Sequence, residues 1–368
     1  MTPFAFATAT EIRFGRGKLT RALPQIAGMG RLLVVHGRGA LSRAGVARAI
    51  EALRPALPAT MGHEPELAEI EALVRDARAL DITAVVAIGG GAVIDAGKAL
   101  AALIPAPHDA LRYLEVVGQG RALDVPPLPF VAIPTTAGTG AEVTRNAVIQ
   151  VAAHRRKVSL RDARMLPVLA VVDPGLTDDC PRGITLASGL DAITQVIEPF
   201  VSTRANPLTD ALCRDAIPRG LVALMRLMQA EDPQARDEMA WVSLCGGLAL
   251  ANAGLGVVHG LAGPLGGLSG AAHGALCGAL LEPALGMNRA RAQDPFRLDQ
   301  VLAMIAQVHP GGLGPWARAQ GLRGLDALRV TPEMRALAAQ MAATSSSMKA
   351  NPAPLTLQDL TDLMEAAR

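Results

Sequence analysis

The sequence predicts an α/β domain with a parallel sheet at residues 1–178, followed by an all-helical domain at residues 179–368. Three observations support this prediction. Short apolar runs alternate with helical patterns in the first half, as in parallel-sheet domains. The β signals fade after about Thr177, and Ala/Leu-rich segments punctuated by Gly and Pro follow. The 368 residues are enough for about two domains, each with its own core.

The elements of the first half follow a strand, turn, helix rhythm. Such a rhythm predicts a parallel sheet whose two faces are both covered. The predicted elements, in chain order, are a strand at RLLVV, a helix from Ser42 to Leu53, a helix carrying Leu67, Ile70, Val74 and Ala77, a strand at ITAVVAIGGG, a helix at VIDAGKALAAL and, after the Pro-rich linker VPPLPF, short strands at VAIP, AVIQV, KVSL and LAVVDP.

The charge pattern favours small molecules as partners. The formal net charge is +2 and no long basic run occurs, so we expect binding to neither nucleic acid nor membrane. The start MTPFAFATATEIRFG lacks the pattern of a signal peptide, which indicates a cytoplasmic protein. Because most oligomers are twofold symmetric, a homodimer is expected.

The cysteines are widely spaced and form no CxxC pair. This spacing argues against a disulfide framework and against a zinc site built from cysteines. Each is interpreted as a small buried apolar residue. The four are Cys180, Cys213, Cys245 and Cys277.

A glycine-rich turn, GGGAVIDAGKA, follows a predicted strand and opens a helix. Backbone amides at such a helix start attract phosphate, which makes Gly90 and Gly91 candidates for cofactor binding. Asp95 lies in the first turn of the same helix. Taken alone, the pattern also fits an ordinary tight turn.

A threonine-rich loop, PTTAGTGAEVT, follows the next strand. Its hydroxyls could bind a diphosphate or a ribose, although threonines in a loop also bond their own backbone. Because both loops follow strands of one sheet, nucleotide binding is the better interpretation. The candidate residues are Thr135, Thr136, Thr139 and Thr144.

The stretch DAITQVIE places Asp191 and Gln195 four residues apart, on one face of a predicted helix. His259 and His273 lie fourteen residues apart in a Gly-rich apolar region. One carboxylate and two imidazoles make a reasonable metal site. Glu198 could orient a ligand, or it could be an exposed charge.

These four motifs, in this order, resemble the iron-containing (group III) alcohol dehydrogenase family, whose fold is shared with dehydroquinate synthase. The family carries a GGGSxxDxAK-like turn, a PTTAGTGSE-like loop, a DAxTHxxE-like helix and two histidines fourteen apart. The resemblance implies an N-terminal dinucleotide-binding domain, a helical C-terminal domain and a metal in the cleft between them. It also implies cofactor contacts by the glycine turn, the threonine loop and Lys157.

The resemblance assigns Asp191, His259 and His273 to three of the four metal ligands and to catalysis. Gln195 stands where the family has its second ligand, a histidine, and Gly263 stands where many members have a further histidine. An amide oxygen is a weaker ligand than imidazole but can still bind a hard ion. We therefore expect iron or zinc at Asp191, Gln195, His259 and His273.

The cofactor is expected to be NADP or NAD. Family members that use NAD often have an acidic residue after the first strand, whereas this chain reads VVHGRGA. Gly37 leaves room there and Arg38 could pair with a 2′-phosphate, which favours NADP. Arg38 could also be a solvated surface side chain.

The predicted function is nicotinamide-dependent interconversion of a small alcohol and its aldehyde or ketone, with a metal polarising the carbonyl. One alternative is a metal-independent reductase resembling the maleylacetate reductases. Another is a catalytically silent nucleotide-binding protein. A lyase like dehydroquinate synthase is less favoured, because the second half lacks a basic phosphate-binding cluster.

Overall fold

The computed structural model describes residues 3–154 and 156–368, which divide into two compact units. The sheet unit contains residues 8–136 and 140–178. The helical unit contains residues 179–368, the short segment 137–139 and the described residues up to Ala7.

The sheet unit is built on a parallel sheet of six strands in the order β1-β8-β5-β4-β2-β3, within the described residues. Strands β6 and β7 form a separate antiparallel pair. Because β4 and β5 are neighbours, the loops that follow them emerge at the same edge. The strands are β1 (Ile12–Phe14), β2 (Leu32–Gly37), β3 (Leu57–Met61), β4 (Ala84–Gly89), β5 (Phe130–Pro134), β6 (Asn146–Val151), β7 (Arg156–Arg161) and β8 (Leu169–Val172).

Helices α1 to α4 belong to the sheet unit, and the later helices belong to the helical unit. The described helices are α1 (Lys18–Ala27), α2 (Ala44–Leu53), α3 (Leu67–Ala79), α4 (Gly91–Leu103), α5 (Arg182–Val201), α6 (Pro207–Gln229), α7 (Pro233–Ala253), α8 (Val257–Ser269), α9 (His273–Arg291), α10 (Phe296–Val308), α11 (Leu313–Ala319), α12 (Pro332–Ala343) and α13 (Leu357–Ala366).

Both faces of the parallel sheet are covered. Alternate residues of β4 contribute to two different apolar cores: Val85 and Ala87 to one, Val86 and Ile88 to the other. Successive side chains of a strand point to opposite faces, so the two cores lie on the two sides of the sheet. This confirms the prediction of a parallel sheet with covered faces.

Helix α5 lies at the centre of the helical unit, where it packs against α6, α7 and α9. It is buried without interruption from Gly189 to Val201. A helix that is surrounded on all sides has no solvated face for polar side chains. The polar residues Asp191, Gln195 and Glu198 must therefore find partners inside the protein.

Most predicted elements are confirmed, with two differences. Helix α1, which contains Pro24, and strand β3 were not predicted; the short sequence LPATM of β3 contains a proline and buries only Ala59 and Met61. The predicted strands AVIQV and KVSL exist, but they pair with each other outside the parallel sheet.

Within the described chain, no single helix is long and apolar enough to cross a membrane; α7 and α8, bent by 102°, meet that test only as a pair.

Candidate functional site

Four side chains of the helical unit converge on one point: Asp191, His259, His273 and Cys277. One potential ligand atom from each lies within 4.8 Å of the others. Asp191 comes from α5, His259 from the first turn of α8, and His273 is the first residue of α9. The structure thus brings together the three residues that the sequence singled out and adds Cys277.

The distances within the cluster are short. The Nε2 atom of His259 lies 3.4 Å from Asp191 Oδ1, and the Nε2 atom of His273 lies 3.9 Å from it. The Sγ atom of Cys277 is 3.6 Å from His273 Nε2 and 3.9 Å from His259 Nε2. Two imidazole nitrogens, one carboxylate oxygen and one sulfur therefore surround a common centre.

The Oδ1 atom of Asp191 is buried and accepts no hydrogen bond from any described residue. The side chain of Asp191 is only 3% exposed. An unpartnered buried carboxylate oxygen is costly, whereas a cation at the centre of the cluster would compensate it. The donor set of oxygen, nitrogen and sulfur fits a divalent metal such as zinc or iron.

Glu198 fixes the orientation of His259. Its Oε2 lies 2.6 Å from His259 Nδ1, and its Oε1 accepts a hydrogen bond of 2.7 Å from the backbone amide of Val258. A carboxylate that accepts a hydrogen bond from Nδ1–H leaves Nε2 free to bind a metal. Glu198 is buried, so the alternative of an exposed charge is wrong.

The electrostatics of the cluster favour positive charge. Burial alone lowers the pKa of both imidazoles, yet Cys277 and Asp191 raise the pKa of His273 to about 9. Burial is likewise outweighed at His259, where Cys277 and Glu198 hold the pKa well above its usual range. Burial raises the pKa of Asp191, but the nearby His273 and His259 outweigh this effect, so that the pKa lies below its usual value. The carboxylates of Asp191 and Glu198 therefore stabilise positive charge at this point.

Gln195 is anchored to the backbone. Its amide nitrogen donates a hydrogen bond of 3.0 Å to the carbonyl of Gly138, and the amide of Gly138 donates one of 2.9 Å to Ser243 Oγ. All three residues belong to the helical unit. The assignment of Gln195 as a ligand stays a prediction. Gly263, in contrast, faces open space, with no described atom near the position of a Cβ.

The glycine turn and the start of the threonine loop meet at one edge of the sheet. Gly90 precedes the first turn of α4, which begins at Gly91. A Cβ atom on Gly90 would lie 3.3 Å from Thr136 Oγ1. The backbone amide of Thr135 donates a hydrogen bond to the carbonyl of Gly89. This edge therefore presents the amino end of a helix beside threonine hydroxyls, the arrangement that suits a phosphate.

Asp95 and Thr144 have partners within the sheet unit. Asp95 accepts a hydrogen bond of 3.1 Å from the amide of Val148 and lies 3.3 Å from Lys98 Nζ. Thr144 accepts a hydrogen bond of 2.7 Å from Lys98. These contacts connect α4 with the β6–β7 pair, so Asp95 and Thr144 at least stabilise the framework of the proposed cofactor site.

Three further candidates lie in the sheet unit. Lys157, on β7, forms an ion pair of 2.5 Å with Glu64. Gly37 ends β2, and the exposed Arg38 follows it. The guanidinium of Arg38 lies over Gly62, where any Cβ atom would overlap it. Because Gly62 has no side chain, the guanidinium of Arg38 has room at this position.

Cys277 was missed at the level of sequence, where it was interpreted as an apolar residue. It is buried, as expected, but it also contacts both histidines. A signal was present: Cys277 follows His273 by four residues, which places the two side chains on one helix face.

Comparisons with known proteins cover nearly the whole chain. The family model described as iron-containing alcohol dehydrogenase matches residues 9–174, and the model of the C-terminal part of that family matches residues 185–368. The chain is 33% identical over 314 residues to a 4-hydroxybutyrate dehydrogenase of Cupriavidus necator, which covers 83% of this chain and 81% of that protein.

Solved structures show the same fold. A 1,3-propanediol oxidoreductase, at 26% identity, superposes with a TM-score of 0.86 over 100% of both chains. A sulfoacetaldehyde reductase from Bifidobacterium kashiwanohense, solved in complex with NAD+, is 26% identical and superposes with a TM-score of 0.83 over 99% of this chain and 98% of that one.

Proposed function

The chain belongs to the iron-containing alcohol dehydrogenase family, and we propose that Asp191, His259 and His273 hold the metal with which it works. The protein is a nicotinamide-dependent oxidoreductase that interconverts a small alcohol and its aldehyde or ketone. The observation that carries the metal assignment is the buried Oδ1 atom of Asp191, which accepts no hydrogen bond from the described residues and faces two imidazole nitrogens.

The protein residues have distinct tasks in this proposal. Asp191 supplies the anionic ligand, and Glu198 keeps the Nε2 lone pair of His259 directed at the centre of the cluster. His273 is 32% exposed, so the cluster remains accessible on its side. When bound, the metal would supply Lewis-acid chemistry by polarising the carbonyl group, whose carbon receives the hydride.

The proton pathway is proposed to use water rather than a side chain. A histidine at position 263 would be a natural proton donor, but the residue there is glycine and its surroundings are open. Water in that space, together with a ribose hydroxyl of the cofactor, would deliver the proton to the alkoxide oxygen.

The cofactor is proposed to bind with its diphosphate at the amino end of α4. Gly90 and Gly91 permit close approach of the backbone, and Thr135 and Thr136 line the same edge. Thr139 and Lys157 complete the proposed contacts. Arg38 favours NADP, because a planar guanidinium can form two hydrogen bonds with a 2′-phosphate.

We also propose a cytoplasmic homodimer. All four cysteines are free, which suits a reducing compartment. The dimer rests on the prevalence of twofold symmetry among oligomers. Light scattering of the purified protein would give its mass, and a monomeric mass would refute the dimer.

Steady-state assays test the proposed metal dependence. The alcohols would include 4-hydroxybutyrate and 1,3-propanediol, each tried with NAD and with NADP, before and after removal of metal by a chelator. We expect reduction of the nicotinamide that falls on metal removal and returns when zinc or iron is added. Activity that is unchanged after verified metal removal would instead support a metal-independent reductase. Cofactor binding without turnover would support a silent nucleotide-binding protein.

A further inference from the structure

The cluster contains one more ligand-type atom than the proposed function uses. The family resemblance places a fourth ligand at position 195, where this chain has glutamine. The amide nitrogen of Gln195 is held by the carbonyl of Gly138, 3.0 Å away. This contact restrains the side chain and leaves only its neutral oxygen as a possible ligand, which is a weak donor to iron or zinc.

Cys277 occupies the same buried space as the other ligands. Its side chain projects from α9 one turn after His273, and the residue is completely buried. A buried cysteine alone would indicate only packing. Here, however, the sulfur contacts both imidazoles, and the unpartnered oxygen of Asp191 belongs to the same group of atoms.

The shorter of the observed separations match those around one tetrahedral ion, and the longer ones would shorten when the ion binds. A tetrahedral zinc ion has bonds of about 2.0–2.1 Å to nitrogen and oxygen and of about 2.3 Å to sulfur. With these bond lengths and tetrahedral angles, a nitrogen ligand atom and an oxygen ligand atom lie about 3.3–3.4 Å apart, and a sulfur and a nitrogen lie about 3.5–3.6 Å apart. The observed separations are 3.4 and 3.9 Å between Asp191 and the two histidines, and 3.6 and 3.9 Å between Cys277 and the same histidines.

We propose that the thiolate of Cys277 is the fourth metal ligand of this protein, in place of Gln195. The inference rests on the proposed function, because it assumes that Asp191, His259 and His273 bind the metal. Binding would release the thiol proton to solvent as the sulfur–metal bond forms. A soft thiolate ligand also favours zinc over harder divalent ions.

X-ray absorption of the zinc-loaded wild-type protein tests the proposal directly. We expect one sulfur at about 2.3 Å from zinc, beside nitrogen and oxygen atoms at about 2.0–2.2 Å. The cobalt-loaded protein should likewise show a thiolate-to-metal charge-transfer band in the near ultraviolet. Both measurements use the unaltered chain, so they do not depend on how a variant folds.

Variants then identify the sulfur. Cys277→Ser should lose the charge-transfer band and bind zinc at least tenfold more weakly, whereas Gln195→Ala should keep the band and its affinity within about threefold. Cys213→Ser is the matched control, since Cys213 is also buried in the helical unit but lies outside the cluster. Circular dichroism would establish that each variant is folded.

The outcomes separate this inference from the proposed function. Metal bound at Asp191 without a sulfur neighbour would overturn the inference alone. Loss of metal in Gln195→Ala together with retention in Cys277→Ser would overturn it as well, and would restore glutamine as the ligand. A wild-type protein that binds no metal would overturn both the inference and the metal assignment of the proposed function.

Discussion

Glu198 orients the ring of His259, a proposed metal ligand. Glu198→Gln keeps an oxygen for the amide of Val258 but removes the charge beside His259 Nδ1. We expect zinc affinity to fall by about 10–100-fold, as for other residues that orient metal ligands. Competition with a chromophoric chelator would measure it. Glu238→Gln, which only breaks a surface ion pair with Arg219, is the control. Equal affinities in the two variants would disprove this role.

Arg38 is expected to set the cofactor preference. Arg38→Asp should shift the ratio of kcat/KM values from NADP towards NAD by about 10–100-fold, because a charge-assisted hydrogen bond is worth about 1.5–3 kcal/mol. The control is Arg48→Asp, the same change at an exposed position of α2. An unchanged ratio in Arg38→Asp would mean that Arg38 is a solvated side chain.

Glu142 makes the stability of the protein depend on pH. Burial raises its pKa from 4.5 to about 7, although Lys98 lowers it. The folded protein therefore holds the proton more tightly than the unfolded chain does. The stability gained in this way is fully present below pH 4.5 and is lost as the pH rises through about 7.

The variant Glu142→Gln should remove this loss. Between pH 5 and pH 8 the wild type should lose about 2–3 kcal/mol of stability relative to the variant, since one pKa unit corresponds to about 1.4 kcal/mol. Urea unfolding at the two pH values would measure the difference. Parallel pH dependence in the two proteins would contradict the assignment.

At the scale of elements, glycines of α9 bring His273 close to Asp191. A Cβ atom on Gly274 would overlap the backbone oxygen of Ala187 on α5 and lie 3.3 Å from Asp191 Cβ. One turn later, a Cβ atom on Gly278 would lie 2.7 Å from Leu190 Cδ1. The two helices therefore approach each other closely at the proposed metal ligands Asp191 and His273.

Gly274→Ala should separate α9 from α5. We expect a loss of about 1–3 kcal/mol in stability from overpacking, together with weaker zinc binding. Gly286→Ala lies on the same helix with no described atom near the new Cβ, so it should be neutral or stabilising by up to about 1 kcal/mol. Thermal unfolding and zinc titration of both variants would test this. If the two variants behave alike, close packing at Gly274 is not needed.

Sequence patterns predicted the helices and strands better than the contacts that these elements make with one another. The apolar run ITAVVAIGGG predicted β4 and the helical periodicity of VIDAGKALAAL predicted α4, because that information is local. The pairing of β6 with β7 and the hydrogen bond between Gln195 and Gly138 join residues that no periodicity connects. Cys277 was missed for a different reason: a single cysteine in an apolar helix looks like a packing residue until its neighbours are known.

At the scale of the whole molecule, two kinds of site belong to two different units. The glycine turn and the first threonines belong to the sheet unit, and the metal cluster belongs entirely to the helical unit. This division matches the fold class that the sequence predicted. We therefore expect that mutations at the two proposed sites alter cofactor binding and metal binding separately.

The most direct test of the metal assignment is the metal content of the protein purified without added metal or chelator, compared with Asp191→Asn. We predict about one equivalent of zinc or iron in the wild type, and loss of most of it in the variant, because the variant removes the only carboxylate of the cluster. Elemental analysis would measure both. A wild type that contains no metal and still oxidises alcohols at full rate would contradict the assignment.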